Sequence, residues 1–192
     1  MRIVRFLLLF LFPVSAAAQT ETPWAATLYA GPATASSSSQ IFFHGNFTPD
    51  AAMVGLALDR HLVDVGWGFD LEGEGQATHF AGRRNYDTMS LALGLRFHDF
   101  PWDRPTSIAL FTGPSWADNP PPIGTGTFHG VPIRFAREAW LESVGAELAV
   151  SISEDNAWSA ALRFYHRSGA FGLFADNADE GSMVGIGIRR QF

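Results

Sequence analysis

The sequence predicts an all-β fold, an eight-stranded antiparallel up-and-down transmembrane β-barrel of the outer-membrane type, and three observations carry that expectation. Large apolar residues alternate with small or charged ones at period two through most of the chain. No helix-length window sustains a 3.6-residue period. Short and long connections alternate between the segments, as both termini on one side of a membrane require.

The chain opens on a basic stretch (Arg2, Arg5) and an apolar run from Phe6 to Val14 broken by Pro13. Small residues Ala16 and Ala18 then precede Gln19, the pattern of a secretory signal peptide cleaved after Ala18. The expected organisation is a leader over 1–18 and one barrel domain over 19–192. That leader is too short to cross a bilayer, and no later segment approaches the roughly 18 uninterrupted apolar residues of a spanning helix, so membrane insertion must use strands. The 192 residues are 47% hydrophobic and 17% charged, which fits one domain and excludes a disordered chain. No cysteine is present, which removes a lipid-anchor thiol, disulfides and thiolate metal sites. A net charge of −6 argues against nucleic acid as a partner.

Strands are expected near 24–31, 51–59, 62–71, 87–98, 105–114, 138–152, 156–168 and 182–192. Four show the alternation best. In the third, Val63, Val65, Trp67, Phe69 and Leu71 oppose Asp64, Gly66, Gly68 and Asp70. The fourth sets Met89, Leu91, Leu93, Leu95 and Phe97 against Ser90, Ala92, Gly94, Arg96 and His98. In the sixth, Val144, Ala146, Leu148, Val150 and Ile152 oppose Ser143, Gly145, Glu147, Ala149 and Ser151. The last sets Val184, Ile186, Ile188 and Phe192 against Met183, Gly185, Gly187, Arg189 and Gln191, while Arg190 departs from the pattern where a strand end lets it snorkel.

Asp64, Asp70, Arg96, Glu147, Arg163 and Arg189 fall on the small-residue parity, with both signs present, so they are expected to pair inside a narrow, side-chain-filled lumen. A soluble sandwich or lipocalin-like barrel also alternates. There the face opposite the apolar one carries Lys, Glu and Thr rather than Gly and Ala. The terminal Phe192 resembles the closing signal of bacterial outer-membrane barrels.

Short connections at 59–61, 99–104 and 153–155 alternate with longer ones at 32–50, 72–86, 115–137 and 169–181. Outer-membrane barrels keep short turns in the periplasm and long loops outside, so the seventh strand is expected to run outward. His44, His61, His79, His98 and His129 lack metal-ligand spacing, and no metal or other cofactor is expected. The six Trp read as interfacial or wall residues. Phe42 and Phe43 fit either a lipid or partner contact or an extended strand pair.

One stretch carries groups capable of chemistry. It contains His166, Ser168, Gly169, Asn177, Asp179 and Glu180, bringing a hydroxyl, an imidazole and a carboxylate into the last hairpin. On the seventh strand His166 and Ser168 share the outward parity of Trp158, Ala160, Leu162 and Phe164, while Arg163, Tyr165 and Arg167 point inward. On the eighth, Ser182, Val184, Ile186 and Ile188 face outward, and extending that parity back places Glu180 outward as well. Residue types alone leave two readings open: an acyl-transfer site at the rim, or interfacial residues bonded to water.

In these residues the chain resembles the outer-membrane lipid A 3-O-deacylases of the PagL type and their acyloxyacyl-hydrolase-like relatives. His-x-Ser stands in the penultimate strand, glycines follow at 169 and 172, and an acid lies twelve positions beyond the serine at Glu180. The matching features lie between His166 and Phe192. The resemblance implies a serine esterase of the bacterial outer membrane. Ser168 would attack the ester of the 3-O-linked hydroxyacyl chain of lipid A in lipopolysaccharide, His166 would serve as base, and Glu180 would orient the imidazole. Where family members often carry Asn directly after the serine this chain has Gly169, so oxyanion donors fall to Asn177 or to backbone N–H groups from Gly169 onward. The alternative is a non-catalytic small barrel with a structural role or one of binding through its loops. Self-association into a homodimer stays open.

Overall fold

The computed structural model describes residues 24–36, 38–120, 125–128, 131–134, 138–169 and 179–192; the expected leader over 1–18 lies outside them. Eight strands form a closed barrel: β1 (Trp24–Thr34), β2 (Ala51–Gly66), β3 (Phe69–Gly82), β4 (Tyr86–Phe97), β5 (Thr106–Ala117), β8 (Trp140–Ser151), β9 (Trp158–Ser168) and β10 (Asp179–Gln191). Each pairs antiparallel with its neighbours, in the up-and-down order that the sequence predicts. A short helix α1 (Ser38–His44) follows β1, and a separate hairpin of β6 (Thr125–Phe128) and β7 (Val131–Arg134) lies in the β5–β8 connection. Closure is completed by the chain ends: Trp24 N donates to Phe192 O at 3.0 Å and Phe192 N to Trp24 O at 2.9 Å.

The pleat sorts the side chains. Leu91, Leu93 and Leu95 on β4 and Ile186 and Ile188 on β10 are exposed outward, while Ser90, Arg96 and Arg189 are buried inward. The lower lumen holds one ionic cluster. Glu147 stands at its centre, accepting from Arg96 Nη2 at 3.0 Å and Arg163 Nη1 at 2.9 Å. Arg96 Nε also donates to both Glu72 oxygens at 2.9 Å, Arg163 pairs with Glu74, and Arg189 pairs with Asp59. Towards α1 the lumen turns apolar, filled by Tyr29, Met53, Phe80, Tyr86, Tyr165 and Met183, with the Phe80 and Tyr86 rings stacked at 4.5 Å. Small residues make room for these rings. Tyr29 sits between Gly55 and Gly187, and Phe111 between Gly94 and Gly145, and a Cβ on Gly55 or Gly94 would run into the neighbouring ring.

The structure corrects the expected second and third strands. Residues 59–61 are no turn: β2 runs through them, and the chain reverses at Trp67–Gly68, where Gly66, Trp67 and Gly68 all have positive φ (88°, 56° and 76°). Asp64 accordingly lies at the turn end of β2, exposed, with its carboxylate accepting from Gly66 N at 2.6 Å, and is not in the lumen. Asp70 lies partly exposed at the mouth, 3.4 Å from His98 Nδ1, outside the central cluster. The expected loop over 72–86 is mostly strand β3, whose Glu72, Glu74, Gln76 and Thr78 are buried on the inward parity. A polar, glycine-rich stretch reads as loop when the buried side is assumed apolar; here the buried side is ionic. At the same end as the Trp67 turn, the β8–β9 turn is fastened by Asp155, whose carboxyl the Ser153 hydroxyl and the Ala157 N–H hold below the usual carboxylate range.

Removing one member of a buried charge cluster leaves its partners uncompensated, at a cost of about 3–5 kcal/mol. Glu147→Ala is therefore expected to lower the unfolding free energy by that amount, read as a lower urea midpoint, while Asp64→Ala at the exposed end of β2 changes it far less.

Candidate functional site

The site is built from the loop end of the β8–β9–β10–β1 wall. Register places Val144, His166, Ser182 and Thr34 side by side across four strands, all with outward parity. One row nearer the loops, Ser168 pairs with Glu142 on β8 and Asp179 on β10. His166 and Ser168 thus lie two residues apart on the outer face of β9, where the sequence places them.

Between Asp179 and Gly181 the β9–β10 register shifts by one residue, a bulge that puts Glu180 at the irregularity. Glu180 belongs to β10 by its backbone, and its side chain lies outside the described residues, as does all of Asn177. A bulge interrupts strict alternation and re-aims the residues within it, so parity counted back from Ser182 does not carry through to position 180. Gly181 adopts φ +119°, and a Cβ there would strike the Thr34 carbonyl, so the close β1–β10 approach requires glycine.

This backbone geometry brings the Gly181 carbonyl oxygen 3.0 Å from His166 Nδ1, with Ser182 Oγ also at 3.0 Å. A carbonyl oxygen only accepts, so Nδ1 carries a proton and the neutral ring keeps its lone pair on Nε2, the tautomer a general base needs. Despite its outward parity His166 is only 7% exposed. Ser168 is half-buried, and Gly169, the first candidate oxyanion donor, is buried. Glu142, which the sequence reading passed over, stands across from Ser168, but its carboxylate accepts from Thr112 Oγ1 at 2.8 Å and so leans toward β5, away from β9. Only the strand register reveals that juxtaposition, because Glu142 stands at the end of the β8–β9 hairpin farthest from its turn.

Two apolar features adjoin the row. The Phe42 ring of α1 packs on Phe164, the next outward residue below His166, with centroids 5.1 Å apart. Below Phe164 the outer wall is indented by a groove of about 530 Å³ lined by Leu148, Val150, Ala160, Leu162, Ile186 and Ile188. Ala160 makes the indentation, since its neighbours on β8 and β10 are larger. Arg167 points inward at the top of the lumen, donating to the carbonyls of Ser115 (3.3 Å) and Ala139 (3.1 Å). No protein-family model matches the chain, and no curated protein matches it.

A side chain at a φ near +120° costs about 1–3 kcal/mol. Gly181→Ala is expected to weaken the β1–β10 pairing locally. Amide hydrogen exchange at Ser182 and Met183 should accelerate at least tenfold, with little change at Ile188, nearer the other end of the strand.

Proposed function

We propose that the chain is an outer-membrane serine esterase that removes the 3-O-linked hydroxyacyl chain from lipid A of lipopolysaccharide, with Ser168 as nucleophile, His166 as base and Glu180 as its acidic partner. The observation that carries this reading is the placement, on one outer wall, of a half-buried serine and a histidine whose Nδ1 meets the Gly181 carbonyl, with Phe164 and then an apolar groove below them.

The wall itself supports a lipid setting. Leu28, Leu56, Leu93, Leu110, Ile186 and Ile188 are each more than half exposed around the barrel, an apolar belt larger than a water-facing surface normally presents. Charge is gathered inside instead, the arrangement of a membrane barrel. Exposed Trp67, Trp102 and Trp158 stand towards the turn end and Trp140 towards the loop end, where interfaces favour aromatic girdles. Among the described residues no helix is long and apolar enough to cross a membrane. With the long connections outside and the termini in the periplasm, the His166 row lies at outer-leaflet height.

In this setting the acyl chain rests in the groove against Leu162 while its ester reaches Ser168, so the lipid need not leave the bilayer. His166 Nε2 takes the Ser168 proton as Oγ attacks the ester carbonyl, then returns a proton to the departing sugar oxygen. Water hydrolyses the acyl-enzyme by the same base. Backbone N–H groups from Gly169 onward and Asn177 are the candidate donors to the tetrahedral oxyanion, each typically worth about 3 kcal/mol.

Mass spectrometry of lipid A from expressing cells tests the reading. Wild type should remove one 3-hydroxyacyl mass, and Ser168→Ala and His166→Gln should remove none while remaining folded in the outer membrane; hydrolysis that survives Ser168→Ala overturns it. Because ion pairs and aromatic rings fill the lumen, the protein in planar bilayers is expected to give no steady single-channel conductance.

A further inference from the structure

Ser182 is a polar group beside His166 to which the proposed reaction gives no part. Its hydroxyl lies 3.0 Å from Nδ1, as close as the Gly181 carbonyl, and the residue is 1% exposed. That burial excludes Ser182 as the nucleophile, because an attacking oxygen must come within about 3–3.5 Å of a substrate carbon. It suits a different task. With the carbonyl requiring a proton on Nδ1, Ser182 Oγ stands as a second acceptor for the same N–H.

We propose that Ser182 is a positioning residue for His166: together with the Gly181 carbonyl in the β10 bulge, it holds the imidazole in its Nδ1–H form and supports the charged ring during turnover. The catalytic consequence rests on the esterase reading; the hydrogen bond itself does not. When Nε2 takes the serine proton, the bond from Nδ1–H becomes charge-assisted and roughly doubles in strength, so both acceptors favour the imidazolium over the neutral ring.

The test uses the full-length mature chain in detergent micelles with nitrogen-15-labelled histidine, His166 being assigned by its loss in His166→Gln. Long-range nitrogen–proton correlation should show the Nδ1–H tautomer in wild type, an Nε2–H population should appear in Ser182→Ala, and Ser182→Thr should restore the wild-type signal. An Nε2–H ring in wild type, or tautomer populations unchanged in Ser182→Ala, overturns the proposal. Should Ser182→Ala fail to fold, the wild-type tautomer still decides. On lipid A, kcat of Ser182→Ala should drop about tenfold with KM unchanged; an unchanged kcat counts against it. If wild type cleaves no lipid A but shows the tautomer and its change in Ser182→Ala, the esterase reading fails and the positioning of His166 stands.

Discussion

Closure of the sheet on itself governs the rest of this molecule. Trp24 and Phe192 exchange both backbone hydrogen bonds, and β1 pairs with β10 from Ala25 opposite Gln191 to Thr34 opposite Ser182. An eight-strand ring has no open edge and encloses a space only wide enough for side chains. Every inward residue must therefore fit its neighbours around the ring, which is why Tyr29 and Phe111 are flanked by glycines and why Arg96, Arg163 and Arg189 share Glu147. With charge concentrated inside, the outward parity is left to leucine, isoleucine and valine.

The same closure assembles the candidate site. Val144, His166, Ser182 and Thr34 come from four strands, and only the ring's register sets them in one row. One irregularity adjusts the row: the bulge at Glu180 turns the Gly181 carbonyl onto His166 Nδ1, and that bulge persists because Gly181 tolerates φ +119° against the Thr34 carbonyl. A backbone group thus takes part in defining the tautomer of the proposed base. Backbone is harder to displace than a flexible carboxylate, so the ring is held before any substrate arrives.

Legibility varied along the chain for identifiable reasons. β4, β8 and β10 were readable because each opposes large aliphatics to small residues or a single buried charge, an unbroken signal at period two. β2 and β3 were misplaced because the signal continued through their turn: Trp67 keeps the apolar parity of Val63 and Val65 while occupying a left-handed backbone conformation that a tryptophan seldom adopts. Glu72, Glu74, Gln76 and Thr78 resembled a solvated loop, since nothing local announces that Arg96, Arg163 and Arg189, distant in sequence, await two of those carboxylates. In the site, His166 and Ser168 were visible from spacing within one strand. Ser182 was visible as an outward residue but not as a partner, and Glu142 was not visible at all.

What the sequence by itself determined is what alternation and composition encode: an all-β chain, eight strands running up and down, one apolar face and one small or charged face, and a histidine and serine together on the outward side of β9. These are local properties, since adjacent side chains on a pleated strand point to opposite faces whatever the strand pairs with. Only the tertiary structure decided which charges meet in the lumen, where β2 turns into β3, and which acceptors hold the His166 ring. Those outcomes depend on register around a closed ring and on a one-residue bulge, and a shift of a single residue in pairing exchanges every partner without altering the pattern a sequence displays.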